Sequence, residues 1–301
     1  MITRIDAAEL RSRLDKGEPL SVIDVLPEEY FVEQHLPGAR RAGVYEVTFL
    51  DQIKQLGLRA NDPVVLYGAG QGSLDSRVAA EKLQRAGFTQ VFNFEGGREA
   101  WLEAGGKLEG KGVQAMARPS QQPHTYRVAV EDSCVEWIGR NLNSTHRGTL
   151  RVAQGDLTLK AGLVQGGRIV FAMGTIENAN LSDPNLRQVL EHHLKSDDFF
   201  DVERFPTAEL RIRSAESIPD ATPGSPNQII SADLTIKDAT HLIEFPAIVA
   251  VGVDGIVTTI AQLEIDRTRW NVFYGSGSVF RMLGKHLVND HITVLVKVVA
   301  R

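Results

Sequence analysis

The sequence predicts two domains of different classes, an α/β domain with a doubly wound, mainly parallel sheet followed by an all-β antiparallel barrel. Three observations lead there. The chain of 301 residues is long enough for two hydrophobic cores. Its first third alternates short apolar runs with helical patterns, which is typical of strands joined by crossover helices. From about residue 126 onward, apolar residues recur at every second position, as in half-buried antiparallel strands.

The first domain is predicted from three apolar strands and one clear helix. Residues 20–26 (LSVIDVL), 63–67 (PVVLY) and 91–94 (VFNF) are short, apolar and rich in β-branched or aromatic side chains. Residues 77–86 carry a helical pattern that Gly87 ends, and Asp75 or Ser76 precedes it as a candidate N-cap. Strands separated by helices indicate a parallel sheet with helices on both faces.

A change of composition marks the expected boundary between the domains. Residues 110–124 (GKGVQAMARPSQQPH) have no periodicity and are rich in Gly, Gln, Pro and Ser, which is typical of an exposed linker. We therefore expect a first domain at 1–110, a linker at 111–124 and a barrel at 125–301.

One helix is predicted within the barrel domain. Asp183 is placed to cap it and Pro184 to begin it. The apolar residues of its pattern are expected on one face, and a lone helix of this kind usually covers an open end of a barrel. These residues are Leu186, Val189, Leu190 and Leu194.

Composition and charge exclude several classes of protein. The formal charge is -5, and residues 1–110 hold 13 basic and 17 acidic side chains, so we expect no nucleic-acid partner. No window approaches the roughly 20 apolar residues of a membrane span, and the charged N-terminus lacks a signal-peptide core, so a cytoplasmic location is expected. Cys134 is the single cysteine, which excludes an internal disulfide and favours a small packing residue.

A glycine-rich loop between a strand and a helix is a candidate anion site. Such a loop directs several backbone N–H groups to one point at the positive end of the helix dipole. The alternative is a tight turn that binds nothing. The candidate residues are Gly68, Ala69, Gly70, Gln71, Gly72, Ser73 and Ser76.

The first domain resembles the rhodanese family. The matching segments are IDV (23–25), EEY (28–30), HLPGA (35–39), VVLY (64–67) and EGGREAW (95–101). The resemblance implies a doubly wound fold in which a cysteine after the VVLY-like strand carries a persulfide. Here Gly68 stands at that position and Leu26 where the family often has arginine, and the loop is longer. Sulfur transfer needs a thiolate, so we expect no activity by that route.

The second domain resembles the YceI-like family. The matching runs are VEWIGR (135–140), THRGTL (145–150), HLKSDDFFDVERFPTAEL (193–210), DLTIKDATHLIEFPA (233–247), LEIDRTRWNVFYGSGS (263–278) and HITVLVKVVA (291–300). The resemblance implies a lipocalin-like barrel that encloses a long apolar molecule, of isoprenoid or fatty-acyl type.

Alternation within the strands selects the candidate ligand-binding residues of the barrel interior. All are apolar, so an internal general acid, base or nucleophile is not expected. The alternative is a solid core, because a barrel of about eight strands can be filled by its own side chains. The candidates are Trp137, Ile169, Phe171, Met173, Leu210, Ile243, Phe245, Leu263 and Val294.

Polar candidates follow the LEID strand. Arg267, Arg269 and Trp270 are expected at the barrel mouth, where guanidinium groups would hold an anionic head group. The alternative is an ordinary ion pair near Asp266. We expect no metal site at His192 and His193, because adjacent helical side chains point about 100° apart.

The resulting functional hypothesis is a non-enzymatic binding protein without a cofactor. The barrel would hold a hydrophobic small molecule, and the first domain would dock a protein partner or sense an anion. One alternative is an enzyme that uses the Gly68–Ser76 loop with an unconventional nucleophile in sulfur or phosphate chemistry. The other is an interaction module with a filled barrel. The oligomeric state stays open, and a dimer is among the options.

Overall fold

The computed structural model describes residues 2–112, 120–252 and 254–301. The chain divides into two compact units, Met1–Met116 and Ala117–Arg301. Residues 113–119, the middle of the expected linker, lie outside the described residues, and the first strand of the second unit begins at His124.

The first unit is a parallel sheet with helices on both faces, as predicted. Its described strands follow the order β1-β5-β4-β2-β3, and each recorded pairing is parallel. The strands are β1 (Ile2–Arg4), β2 (Ser21–Asp24), β3 (Arg40–Arg41), β4 (Val64–Tyr67) and β5 (Val91–Phe94). The helices are α1 (Ala7–Asp15), α2 (Glu28–Glu33), α3 (Phe49–Gln55), α4 (Asp75–Arg85) and α5 (Gly97–Glu103).

Strand β4 shows why this sheet is covered on both sides. Val64 and Leu66 belong to one buried cluster with Phe49 of α3, whereas Val65 and Tyr67 belong to a second cluster with Leu10 of α1. Since successive side chains of a strand point to opposite faces, the two clusters are the two faces of the sheet. A strand buried on both faces reads as a continuous apolar run, which is what VVLY is.

The second unit is an antiparallel barrel, again as predicted. Its strands are β6 (His124–Arg127), β7 (Cys134–Arg140), β8 (Thr145–Lys160), β9 (Leu163–Asn178), β10 (Thr207–Ser217), β11 (Gln228–Ile236), β12 (Ala239–Val251), β13 (Val257–Asp266) and β14 (His291–Ala300). The order is β6-β8-β7-β14-β13-β12-β11-β10-β9, and a β8–β9 pairing closes eight of the described strands, β7 to β14, into a barrel. Strand β6 pairs with the far half of β8. Short 3₁₀ helices lie at Val130–Asp132, Arg267–Trp270 and Gly284–His286.

The predicted helix of the barrel domain is α6 (Pro184–Lys195). Asp183 caps it, since its Oδ1 accepts hydrogen bonds from the amides of Asn185 and Leu186 at 2.8 and 3.3 Å. The expectation of one buried face was wrong in part. Leu190 borders the barrel cavity, but Leu186 and Val189 are 58% and 66% exposed. The first turns of α6 therefore extend beyond the part of the helix that covers the barrel.

Two further findings concern the surface. Cys134 is exposed on β7, so its expected role as a packing residue was wrong. Within the described ranges, no helix has the length and apolar character needed to cross a membrane.

Candidate functional site

The loop between β4 and α4 directs its backbone amides at a carboxylate of the protein itself. Asp75 is 4% exposed; its Oδ2 accepts a hydrogen bond from the Ala69 amide at 3.1 Å, and its Oδ1 accepts one from the Ser76 amide at 2.7 Å. The predicted capping role was wrong, because Leu74 occupies the N-cap position and makes no side-chain cap. An external anion would have to compete with Asp75 for these amides.

Close packing explains why glycine occupies position 68. A Cβ built there would lie 2.3 Å from the Asp75 carboxyl group, so a larger side chain and this carboxylate exclude each other. Gly97 meets the same loop from α5. Its φ is +54°, and a Cβ there would lie 2.5 Å from the Gly68 carbonyl oxygen.

The other candidate loop residues differ in exposure. Gly70 and Ser76 are buried, Ser73 is half-buried, and Ala69, Gln71 and Gly72 are exposed. The Ser73 amide donates to the Gly70 carbonyl at 3.2 Å, which closes a turn within the loop. The geometry is that of a tight turn packed around its own carboxylate.

Two titratable side chains are buried next to each other in the sheet below this loop. Asp24 and Tyr67 are register partners on β2 and β4. Burial raises the pKa of both groups, and the Asp24 charge adds to the rise at Tyr67. The Tyr67 hydroxyl stays protonated and accepts a hydrogen bond from the Leu36 amide at 2.9 Å. The two groups are therefore buried together in the interior of the sheet.

The barrel encloses a cavity of about 370 Å³. This volume lies within the range of small-molecule pockets. Each of the nine interior candidates lines it. They come from six strands, because alternate residues of each strand point inward. They are Trp137, Ile169, Phe171, Met173, Leu210, Ile243, Phe245, Leu263 and Val294.

The end of the cavity near the β8–β9 turn is closed. The side chain of Gln228, 4% exposed, accepts a hydrogen bond from the Val164 amide at 3.0 Å and donates one to the Gly162 carbonyl at 2.8 Å. The neighbouring lining residues Leu157 and Val298 are buried. One polar atom interrupts this apolar wall, the Oγ1 of Thr259, which is buried without a hydrogen-bond partner among the described residues.

The opposite end is polar and reaches solvent. The lining residues there include Lys285 and His286, both exposed, and Arg140, His146 and Tyr274. Arg140 ends β7 and His146 lies near the start of β8, whereas Tyr274, Lys285 and His286 belong to the β13–β14 connection. The cavity thus has an apolar body and a cationic mouth, a polarity suited to an amphipathic molecule with its head group at the mouth.

Arg267 borders the cavity but is fully engaged by the protein. It is 3% exposed, and its guanidinium donates hydrogen bonds to the carbonyls of Asn289, Val272 and Val288 at 3.0, 2.6 and 3.1 Å. Asp290 lies 3.5 Å away as its ion-pair partner. Desolvation lowers the pKa of Arg267, and Asp290 opposes that shift. Arg267 therefore holds the β13–β14 connection together.

Unlike Arg267, the two neighbouring candidates lie outside the cavity lining. The Arg269 guanidinium lies over the Trp270 ring at 5.1 Å and is exposed. Trp270 is 1% exposed in the core, where its Nε1 donates to the Leu234 carbonyl at 2.9 Å. The sequence analysis did not select four residues of the mouth: Arg140, His146, Lys285 and His286. The pattern that could have indicated them is the presence of basic residues without any acidic residue in two segments, 140–147 and 279–288.

One of the paired histidines of α6 is bonded within the protein. His193 bonds to Asp198, with Nε2 and Oδ2 3.2 Å apart, and its ring packs edge-on against Phe199 and Tyr274. Among the residues with a described placement, no cluster of three or more His, Cys, Asp or Glu side chains has the geometry to hold a metal ion.

Comparison with known families agrees with the folds of both units. Residues 126–300, more than half of the chain, match the model of the YceI-like domain. The chain belongs to the YceI-like family. Residues 6–104 match the rhodanese-like domain, so the YceI-like domain is preceded by a rhodanese-like one.

Individual relatives are more distant. The uncharacterized protein YqhL of Bacillus subtilis (strain 168) is 36% identical over 92 residues, which are 30% of this chain and 64% of that protein. Among solved structures, Burkholderia cenocepacia BcnA is 19% identical with a TM-score of 0.45, covering 58% of this chain and 99% of its own. A polyisoprenoid binding domain from Saccharophagus degradans is 11% identical with a TM-score of 0.42, covering 58% and 97%.

The overlap between position 68 and Asp75 gives a first prediction. Gly68→Cys should destabilise the first domain by about 1–3 kcal/mol, because the new side chain meets a buried carboxylate. The cost should shrink by about 1 kcal/mol or more in an Asp75→Ala background. Hydrogen exchange across α4 in increasing urea measures both values. Gly72→Cys is the control. A Cβ there has open space but a φ of +91°, so its cost is backbone strain and should be equal with and without Asp75→Ala. Equal costs of Gly68→Cys in both backgrounds would contradict the packing account.

The bonding of Arg267 gives a second prediction. Arg267→Ala should destabilise the barrel by about 3–5 kcal/mol, since it leaves three carbonyls and Asp290 without their buried partner. The exposed neighbour Arg269→Ala should stay within about 0.5 kcal/mol of wild type. Urea denaturation followed by near-ultraviolet circular dichroism compares them. If both variants lost equally little stability, Arg267 would not be a structural residue, and a ligand-binding role would be favoured instead.

Proposed function

We propose that the YceI-like domain binds one long-chain amphipathic lipid, of isoprenoid or fatty-acyl class, without catalysing a reaction. The main observation behind this proposal is the polarity of the cavity. It is apolar from Met173 down to the closed end at Gln228 and cationic at its mouth. The chain would occupy the body of the cavity and the head group would lie near Lys285 and Arg140.

The energetics support a chain rather than a polar ligand. Each methylene group buried in such a cavity contributes about 0.8 kcal/mol, before the cost of ordering the ligand. A polar ligand placed at the same depth would find Thr259 as its hydrogen-bonding side chain among the described lining residues of the closed half. Desolvation without partners would then oppose binding.

A binding role is also favoured over catalysis. A general acid or base acts within hydrogen-bond reach of the reacting atoms, and a nucleophile needs an activating neighbour. The titratable side chains that line the cavity are gathered at its mouth, where Lys285 and His286 are exposed to water.

For the rhodanese-like domain we propose a role in docking a protein partner, without sulfur transfer. Two observations support this. Gly68 stands where the rhodanese resemblance places the persulfide cysteine, and the Asp75 carboxylate takes the amides that a thiosulfate or phosphate oxygen would use. An anion-sensing role would require Asp75 to move out of the loop.

Probe titrations test the proposed lipid site. Wild type should bind a fluorescent polyprenyl or fatty-acyl probe, and Phe171→Asp should abolish that binding, because an unpaired carboxylate in the cavity costs several kcal/mol. Phe171→Ala should stay folded and shift the preferred chain length upward. Leu242→Asp, on the outer wall of β12 and half exposed, is the matched control and should bind like wild type. If neither probe binds wild type, the barrel is a filled structural module.

The cationic mouth gives a separate prediction about head groups. Lys285→Ala should lower the affinity for a fatty-acid probe about fivefold, because a solvated ion pair contributes about 1 kcal/mol to binding. The same change should leave the matching fatty alcohol within twofold or so, because no charge is lost to that ligand. Lys297→Ala, on the outer face of β14, is the control. Equal losses for acid and alcohol would place the head group elsewhere.

A further inference from the structure

Several apolar side chains are exposed at the end of the barrel where the cavity opens. Met282 is fully exposed at 102%, and a group of exposed apolar residues, unlike a single one, marks an interaction site. None of these side chains lines the cavity, so the ligand does not account for them. We call the group the rim surface: Leu142, Leu186, Val189, Val279, Phe280 and Met282.

The segments that carry the rim surface are joined to one another. Val288 forms bridges with both Asn141 and Ser276, which ties the β7–β8 connection to the residues before Val279. The Phe280 amide donates to the Ser276 carbonyl at 2.9 Å. The rim surface therefore continues from the β7–β8 turn into the β13–β14 connection.

Helix α6 is attached to the same end. The His193 ring lies 4.5 Å from the Tyr274 ring, which links the C-terminal half of α6 to the β13–β14 connection. The turn before α6 is tied to strand β8, since the Asn180 side chain donates to the Thr145 carbonyl at 2.9 Å. Leu186 and Val189 thus lie on the border of the same opening.

The charge around the rim surface is positive. Residues 140–147 carry Arg140 and Arg147, residues 279–288 carry Arg281 and Lys285, and neither range contains an acidic residue. The side chains of Arg281 and Lys285 form no hydrogen bond or ion pair with the described residues. Helix α6 is balanced, with Asp183 and Glu191 against Arg187 and Lys195.

Acidic residues also occur at this end. Asp290, in the β13–β14 connection, is the ion-pair partner of the buried Arg267. The 197–203 segment contains Asp197, Asp198, Asp201 and Glu203. It contacts the β11–β12 turn, where Lys237 donates to the Phe199 carbonyl at 3.3 Å. The segment therefore reaches the β11–β12 side of the mouth, and its Asp198 is held by His193 at 3.2 Å.

We propose that the rim surface docks on an anionic lipid membrane, so that the mouth of the cavity faces the bilayer from which the ligand is taken or to which it is released. Apolar side chains at loop tips enter the interfacial layer, and flanking cations bind anionic head groups. A second copy of the chain would bring like charges together in a two-fold contact, which opposes that occupant. This proposal rests on the proposed lipid-binding function, because docking would deliver the ligand. The observations that support it are those of the rim surface.

Vesicle sedimentation with the full chain tests this directly. Wild type should sediment with vesicles of phosphatidylcholine and phosphatidylglycerol, less with phosphatidylcholine alone, and less in high salt. Met282→Glu and Phe280→Glu should each reduce binding, and Arg281→Ala should reduce it about fivefold, the equivalent of about 1 kcal/mol for one cation. Ile260→Glu, an exposed apolar residue on the wall of β13, is the matched control and should bind like wild type.

The probe titration in solution separates this proposal from the lipid-binding one. Met282→Glu should bind a soluble fatty-acyl probe like wild type, because Met282 does not line the cavity. Vesicle binding without probe binding would overturn the lipid-binding function and leave the docking surface intact. Failure of wild type to sediment, sedimentation unaffected by the rim variants, or a dimer that Met282→Glu dissociates without any vesicle binding would each overturn the docking proposal.

Discussion

The pairing of β8 with β9 is the constraint on which the barrel domain depends. Without it, the sheet from β7 to β14 would be open, with two exposed edges. With it, the inward residues of the barrel strands face one enclosed volume. Their side chains do not fill this volume, so a cavity remains. The cavity, its lining and its two unlike ends all follow from this closure.

The two ends differ because they are built from different connections. At the closed end, the β8–β9 turn is short and Gln228 bridges it with hydrogen bonds. At the mouth, the chain leaves the barrel twice for long connections, 179–206 and 267–290. Arg267 fixes the second of these by donating to three carbonyls. The buried and fully bonded Arg267 thus stabilises the connection that carries the exposed Lys285 and the exposed apolar side chains of the rim surface.

Local patterns predicted most of this fold, and long-range contacts account for what they missed. Alternation within single strands was enough to place Phe171 and Leu263 on the cavity wall, and Asp183 capped the predicted helix because capping is local. Arg267 looked like a mouth residue because its carbonyl partners lie up to 22 positions away. Asp75 looked like a helix cap, but the loop folds back over it to reach Ala69. Neither contact can be predicted from the spacing of residues along the sequence.

The proposed function requires above all that the hollow barrel hold a single amphipathic lipid. Native mass spectrometry of gently purified protein, followed by organic extraction and lipid identification, tests it most directly. We predict one copurifying long-chain species per chain, lost from Phe171→Asp and retained by Leu242→Asp. A wild-type protein that carries no adduct and takes up none after incubation with polyprenyl and fatty-acyl lipids would contradict it.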